Sequence, residues 1–219
     1  MTDSRKPGPI GYVASAIGDT TMTRRISSQP GYIGRIPVTA TDSLTSRGEA
    51  RYLTTSEIAM ARALFKDSID YSKVKVHNGE YLWFGMQPND TAMTPNGEMY
   101  FNSSRFQENF AASSKSNQHW FMHEMVHVWQ YQLGYPVKLR GAIRIGLSYE
   151  YVLSEDKTLA DFNMEAQGDL LADYWAIKFQ SQPPVMSQHK YRGNLVLFKK
   201  VLHGFLNDPS NKANLPGGK

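Results

Sequence analysis

Two histidines and a glutamate form the chain's clearest chemical motif, His123-Glu124-Met125-Val126-His127. On a helix, residues four apart lie on one face, about 6 Å along the axis, so His123 and His127 can bind one zinc ion together. Glu124 then lies beside the ion without binding it, where it can accept a proton from a zinc-activated water. The motif therefore predicts half of a hydrolytic zinc site.

The sequence around this motif predicts the helix that its geometry requires. Ser116 or Asn117 can cap the start of that helix. Gly134 can end it, and Pro136 prevents its continuation. The motif therefore falls in the middle of this helix, where both histidines share a face.

A third histidine, His119, precedes the motif by one helical turn. It lies about 12 Å along the axis from His127, whereas a zinc–nitrogen bond is about 2 Å long, so these two residues cannot share one ion. We interpret His119 as a structural residue.

A third zinc ligand must come from elsewhere, because catalytic zinc sites have three protein ligands and one open position. The metzincin spacing is absent, since Gln130 and Leu133 stand where it needs glycine and histidine. Glu165 is the strongest candidate, because it begins a second predicted helix over about 164–180. Asp169 follows on the same face, placed to accept the free N–H of a ligand histidine. The other candidates are Glu150, Glu155, Asp161, Asp169, His189 and His203.

Peptide hydrolysis at such a site also requires a hydrogen-bond donor that stabilises the oxyanion. Tyr149 and Tyr151 are the leading candidates, because they lie in a predicted extended segment between the two ligand helices. Tyr174 and His189 are the alternatives. We therefore predict that Tyr149 or Tyr151 acts with Glu124 in catalysis.

Three short strands are predicted before the zinc-motif helix. Asn78-Gly79 is a strong hairpin signal between strands at 73–77 and 80–84. A third strand is expected at 98–101, and we expect it to form the sheet edge at which an extended substrate pairs. Together the elements predict an α+β fold in which a small antiparallel sheet packs on the active-site helix and a second ligand-bearing helix.

The composition divides the chain into two predicted regions. Residues 1–48 are rich in Gly, Pro, Ser and Thr and lack hydrophobic periodicity, which predicts an N-terminal arm or linker. Residues 49–219 form the domain that holds the predicted zinc site, and a capping box at Thr54 opens its first helix. A terminal helix is expected over 195–205, followed by a frayed tail from Asp208.

The overall composition excludes several classes of protein. The 219 residues contain no cysteine, which excludes disulfides, thiolate zinc sites and cysteine nucleophiles. No stretch approaches the roughly 18 apolar residues of a membrane span, and no signal peptide is evident, so we expect synthesis in the cytoplasm. The formal net charge of +4 is mild and no nucleic-acid-binding module is present, so no nucleic-acid partner is predicted.

The combined motifs resemble a known class of peptidases. His123-Glu124-x-x-His127 with Glu165-x-x-x-Asp169 resembles the gluzincin zinc peptidases, whose third ligand is a helical glutamate followed by an aspartate one turn later. This resemblance implies a minimal zincin-like arrangement of the predicted helices and sheet.

Three segments show a closer resemblance. Residues 121–130, 94–97 and 162–168 are similar to the metallopeptidase toxin domains attached to, or delivered with, the VgrG spike of bacterial type VI secretion systems. The similarity covers about residues 50–182. It implies an antibacterial effector that hydrolyses a protein or peptide substrate in the periplasm of a neighbouring cell. It also implies a secretion spike and an immunity protein as partners.

The resemblance implies roles for the site residues as well. His123, His127 and Glu165 would bind Zn²⁺, Asp169 would support a ligand histidine, and Glu124 would be the general base. Two alternatives remain, a cytosolic housekeeping zinc protease and a non-catalytic spike adaptor with a structural zinc. Glu124 speaks against the adaptor, because a structural site needs a fourth ligand and no base.

Overall fold

The computed structural model describes residues 44–81, 92–137 and 147–217. Most of the predicted arm, residues 1–43, lies outside this described part. The fold is α+β, as the sequence predicts, with a small four-stranded sheet and several helices. The strands are β1 (Ala50–Tyr52), β2 (Lys75–Asn78), β3 (Ala92–Met93) and β4 (Met99–Phe101). The helices are α1 (Thr55–Phe65), α2 (Lys115–Gln132), α3 (Met164–Phe179), α4 (Leu195–Val201) and α5 (His203–Asn207).

The sheet is mixed, which corrects the prediction of an antiparallel one. Its order is β1-β2-β4-β3, with β2 and β4 parallel and the other two pairs antiparallel. Residues 79–98 separate β2 from β4, and a connection of that length is long enough for a parallel crossover. Glu80 and Tyr81 form no strand, and the rest of the expected hairpin strand, 82–84, lies outside the described residues.

The strand expected at 98–101 is confirmed as β4, but its expected edge position is wrong. β4 lies between β2 and β3, so among the described strands β3 forms the edge on that side. Met99 and Phe101 of β4 are fully buried, whereas Tyr100 between them is half-buried, as period-two alternation requires. The Phe101 ring lies edge-on to Trp120 of α2, with the ring centroids 5.1 Å apart, so the inner sheet face packs against α2.

The helices begin close to the predicted caps. Thr54 forms the predicted capping box at α1. Ser114 caps α2, two residues before the expected Ser116, by accepting a hydrogen bond from the Asn117 amide. The left-handed backbone of Gly134 (φ 94°) follows the end of α2, as expected of a helix-terminating glycine.

The C-terminal segment is ordered through residue 217, so the prediction of a frayed tail is wrong for the described part. The predicted terminal helix is divided at Leu202 into α4 and α5. After α5 the chain returns to the core, where the Trp129 indole N–H donates to the Pro209 carbonyl at 2.7 Å and Leu215 is buried. No helix within the described ranges is both long enough and apolar enough to cross a bilayer.

Candidate metal centre

Helices α2 and α3 face each other through three histidine–carboxylate pairs. The pairs are His127 with Glu165, His123 with Asp169, and His119 with Asp173. Partners on both helices are four residues apart and run in opposite order, so the two helices are antiparallel and each pair occupies one helical turn. The residues of the predicted zinc site, which form the first two pairs, therefore lie together at the interface between these two helices.

The first two turns of this interface bring three possible metal ligands together. The Nε2 atoms of His123 and His127 are 3.2 Å apart, and Glu165 Oε2 lies 3.2 Å from His127 Nε2 and 3.4 Å from His123 Nε2. A tetrahedral zinc with bonds of about 2.0–2.1 Å places its ligand atoms about 3.3 Å apart. All three side chains are buried, so both the atoms and their spacing fit a zinc ion.

The electrostatics of the group favour a charged cluster before metal binding. Burial disfavours the His123 imidazolium, but hydrogen bonds to Asp169 and Glu165 and the charge of Glu124 outweigh it and raise the pKa of His123 to about 10. Burial likewise opposes ionisation of Glu165, yet the charge of His127 and hydrogen bonds from both histidines hold the pKa of this carboxyl well below its usual range. A metal must therefore displace a proton, and acid opposes its binding.

Gly168 explains how His123 fits against α3. A Cβ atom at this position would lie 2.5 Å from Cε1 and 2.7 Å from Nδ1 of His123, closer than such atoms approach. Only glycine therefore lets the imidazole lie on α3 between Glu165 and Asp169. Sequence reasoning missed this residue, although a glycine inside a helix, at a cost of about 1 kcal/mol, is a signal for close packing.

Glu124 is buried beside the ligand group and has a positioned hydrogen-bond partner. The Thr94 hydroxyl donates to Glu124 Oε2 at 2.5 Å. Thr94 is itself buried and directly follows the edge strand β3. Thr94 therefore connects the edge strand of the sheet to the glutamate of the motif, a role that the sequence analysis did not predict.

The two tyrosines expected to stabilise an oxyanion occupy different environments. The Tyr149 ring stacks on His123 with ring centroids 6.0 Å apart, and Tyr149 is 48% exposed. Tyr151 is 1% exposed, and its hydroxyl donates to Asp173 at 2.5 Å. The structure therefore places Tyr149 beside the ligand group and Tyr151 within the neighbouring His119–Asp173 pair.

Of the remaining candidates, Asp169 contacts the ligand group and the others lie apart from it. Asp169 contacts His123 Nδ1 at 2.7 Å, which matches its expected supporting role. Tyr174 is buried, and its ring packs near Phe198 with centroids 6.2 Å apart. The other candidate ligands are exposed, namely Glu150, Glu155, Asp161, His189 and His203.

Comparisons with known proteins give one consistent relationship. No protein-family model matches the chain. Over 136 residues the chain is 41% identical to the type VI secretion system spike protein VgrG2b of Pseudomonas aeruginosa strain PAO1, an alignment that covers 58% of this chain and 13% of the spike protein. The solved effector domain of P. aeruginosa VgrG2b aligns at 41% identity with a TM-score of 0.53, covering 57% of this chain and 73% of that domain. The chain thus spans a small part of the spike protein and most of its effector domain, and it belongs to the family of the VgrG2b effector domain.

Proposed function

We propose that this protein is a zinc-dependent peptidase in which His123, His127 and Glu165 bind the ion. The observation that carries the proposal is the convergence of three buried ligand atoms at tetrahedral spacing, with Glu124 beside them. Three protein ligands leave one coordination position open, which is the pattern of catalytic zinc, whereas structural zinc has four protein ligands. Within the described ranges no other group of three histidine or acidic side chains converges in this way.

Residues of the chain divide the remaining work of peptide hydrolysis. Zinc bound by these residues would supply Lewis acidity, which would lower the pKa of water and polarise a carbonyl. Glu124 accepts the proton of the attacking water and delivers it to the leaving amine. Because the Thr94 hydroxyl holds Oε2 of this carboxylate, we assign the proton transfer to Oε1. The half-exposed Tyr149, stacked on His123, is the donor that we assign to the oxyanion.

The edge strand β3 suggests how a substrate is held. Its two residues, Ala92 and Met93, pair with β4 on one side and lead directly into Thr94. An extended peptide that adds to the outer side of β3 would run towards Glu124, held by main-chain hydrogen bonds that do not depend on its sequence. We therefore propose a protein or peptide substrate bound in extended form.

We further propose that the enzyme is an antibacterial effector of type VI secretion, carried on a VgrG-type spike into the periplasm of a neighbouring cell. The relationship to the VgrG2b effector domain supports delivery by this route. The absence of cysteine suits an oxidising compartment, because no thiol can misoxidise there. A producing cell would then need an immunity protein against its own enzyme.

The peptidase assignment is tested with Glu124→Gln, which removes the base but keeps the size of the side chain. We expect this variant to fold and to bind zinc as the wild type does. Its hydrolysis of an unstructured protein substrate should be at least about 100-fold slower, the usual contribution of a positioned base. Wild-type cleavage by the variant would refute the role of Glu124, and absence of cleavage by the zinc-loaded wild type on a broad peptide library would refute the peptidase proposal.

A further inference from the structure

Two fully buried glutamines lie behind the ligand group, and the chemistry above assigns them no role. Gln130 lies in α2, three residues after His127, and Gln167 lies in α3, two residues after Glu165. Gln130 Oε1 is 2.9 Å from Nδ1 of His127, the ring nitrogen that faces away from the other ligands. Burying an amide costs free energy unless each of its polar atoms has a hydrogen-bond partner. The partners of the two amides therefore determine which atom of each donates and which accepts.

The contacts of the two amides define a single direction of donation. Gln167 Nε2 lies 2.8 Å from the Leu159 carbonyl and 3.0 Å from the Asn214 carbonyl. Carbonyl oxygens only accept hydrogen bonds, so the NH₂ group of Gln167 faces them and its Oε1 faces Gln130. Gln130 Nε2 consequently donates to that Oε1 at 2.9 Å and to the Met164 carbonyl at 3.3 Å.

The direction of donation determines which ring nitrogen of His127 carries a proton. Both N–H bonds of Gln130 are used and its Oε1 can only accept, and within the described part of the chain the donor that this oxygen meets is Nδ1–H of His127. His127 therefore carries a proton on Nδ1, so Nε2, which faces His123 and Glu165, is the nitrogen left to give up its proton and bind zinc. We propose that Gln130 and Gln167 form an amide relay that fixes the tautomer and ring orientation of His127 for zinc, a positioning role that rests on the proposed metal site.

The hydrogen-bond partners of the two histidines differ in charge. His123 donates to the carboxylate of Asp169, whereas His127 donates to a neutral amide. With Glu165 as the third ligand, two carboxylates already balance the two positive charges of zinc. A neutral partner for His127 completes the hydrogen bonding without adding a further carboxylate to the ligands and their partners, which would weaken the Lewis acidity of the ion.

The relay also gives the C-terminal segment a part in the site. Its last acceptor is the Asn214 carbonyl, in the short 3-10 turn Lys212–Asn214 that follows α5. This turn is held in place by Asn214 Nδ2, which donates to the Asp208 carbonyl at 3.0 Å. The relay therefore connects the proposed zinc ligand His127, through Gln130 of α2 and Gln167 of α3, to the turn Lys212–Asn214.

The direct test of the relay needs no substitution. Because the chain has only six histidines, nitrogen-15 NMR of the zinc-loaded protein can identify the protonated ring nitrogen of each. We expect His127 to carry a slowly exchanging proton on Nδ1, with zinc on Nε2. A proton on Nε2, with zinc on Nδ1, would overturn the proposal.

Substitutions test the relay by zinc affinity, measured through competition with a chelator. Gln130→Met keeps side-chain length but removes the hydrogen bonds, and we expect it to weaken zinc binding about 10- to 100-fold and to alter the visible spectrum of the cobalt(II) form. Gln167→Met should weaken zinc binding less, and the double variant should bind no more weakly than Gln130→Met, because Gln167 acts through Gln130.

Gln180→Met is the matched control. Gln180 is a buried glutamine at the end of α3 whose amide bonds to Lys115 and Val185, away from the ligands. Its substitution should lower thermal stability and leave zinc affinity unchanged. If a folded Gln130→Met binds zinc as the wild type does, the relay proposal fails while the peptidase proposal stands. If the wild type itself binds no zinc, both fail.

Discussion

Gly168 lies in α3 between Glu165, the proposed zinc ligand, and Asp169, directly under the His123 ring. Gly168→Ala adds one methyl group where the imidazole now lies, so the ring must move away from the position that it shares with His127 and Glu165. Alanine otherwise favours a helix over glycine by about 1 kcal/mol. We therefore expect zinc affinity to fall by about tenfold or more while the helix is retained.

Gly193→Ala is the control for this substitution, because a Cβ at Gly193 meets no atom within 4 Å. Both variants are compared with the wild type by chelator competition and thermal unfolding. Undiminished zinc affinity in Gly168→Ala would show that the His123 ring is not held against α3 in the way described.

At the level of elements, the pair of ligand helices was predictable and the sheet was less so. Helices α2 and α3 follow from local signals, namely the histidine spacing, Gly134 and the cap at Asn163, which accepts from two backbone amides. Strand pairing depends on partners distant in sequence, so Asn78-Gly79 marked the end of β2 correctly but not its neighbours. The C-terminal residues, for which the sequence predicts a frayed tail, are likewise held by packing against distant segments.

Within the candidate site, too, residues placed by local helical spacing were predictable and long-range contacts were not. Glu165 and Asp169 could be predicted because their spacing is helical. The separate environments of Tyr149 and Tyr151 could not be predicted, because the partner of Tyr151 is Asp173, a residue whose contacts come from three different segments. Those contacts are long-range and leave no periodic signal in the sequence.

The cluster of His119, Asp173 and Tyr151 joins α3 to α2 and to the segment that precedes α3. Asp173 is fully buried and accepts hydrogen bonds from Tyr151, His119 and the amides of Ser187 and Gln188. Tyr151→Phe leaves one oxygen of this carboxylate short of a donor, so we expect unfolding free energy to fall by about 1–3 kcal/mol. The zinc affinity should not change, because the cluster lies one turn from the ligands.

Tyr149→Phe is the matched substitution on the same segment. It should leave stability nearly unchanged and lower kcat, because the tyrosine hydroxyl is assigned to the oxyanion. Chemical denaturation and steady-state kinetics of both variants separate the two roles. A large loss of kcat without loss of stability in Tyr151→Phe would instead make Tyr151 the catalytic tyrosine.

At the scale of the whole molecule, the proposed effector role predicts that toxicity depends on compartment. We expect expression in a sensitive bacterium to arrest growth only when a signal peptide exports the wild-type chain to the periplasm. Exported Glu124→Ala should be harmless, since it retains the fold without the base. The growth rate of each strain after induction is the measurement. Equal toxicity of the cytosolic and the exported protein would indicate an intracellular substrate.

The central claim is one zinc ion bound by His123, His127 and Glu165, and the metal content of the purified protein tests it most directly. We expect one zinc per chain in the wild type by elemental analysis, none in the double variant His123→Ala/His127→Ala, and strongly weakened binding in Glu165→Ala. His119→Ala, one turn outside the ligand group, should retain the full complement. Full zinc occupancy after loss of both motif histidines, or wild-type affinity in Glu165→Ala, would contradict the assignment.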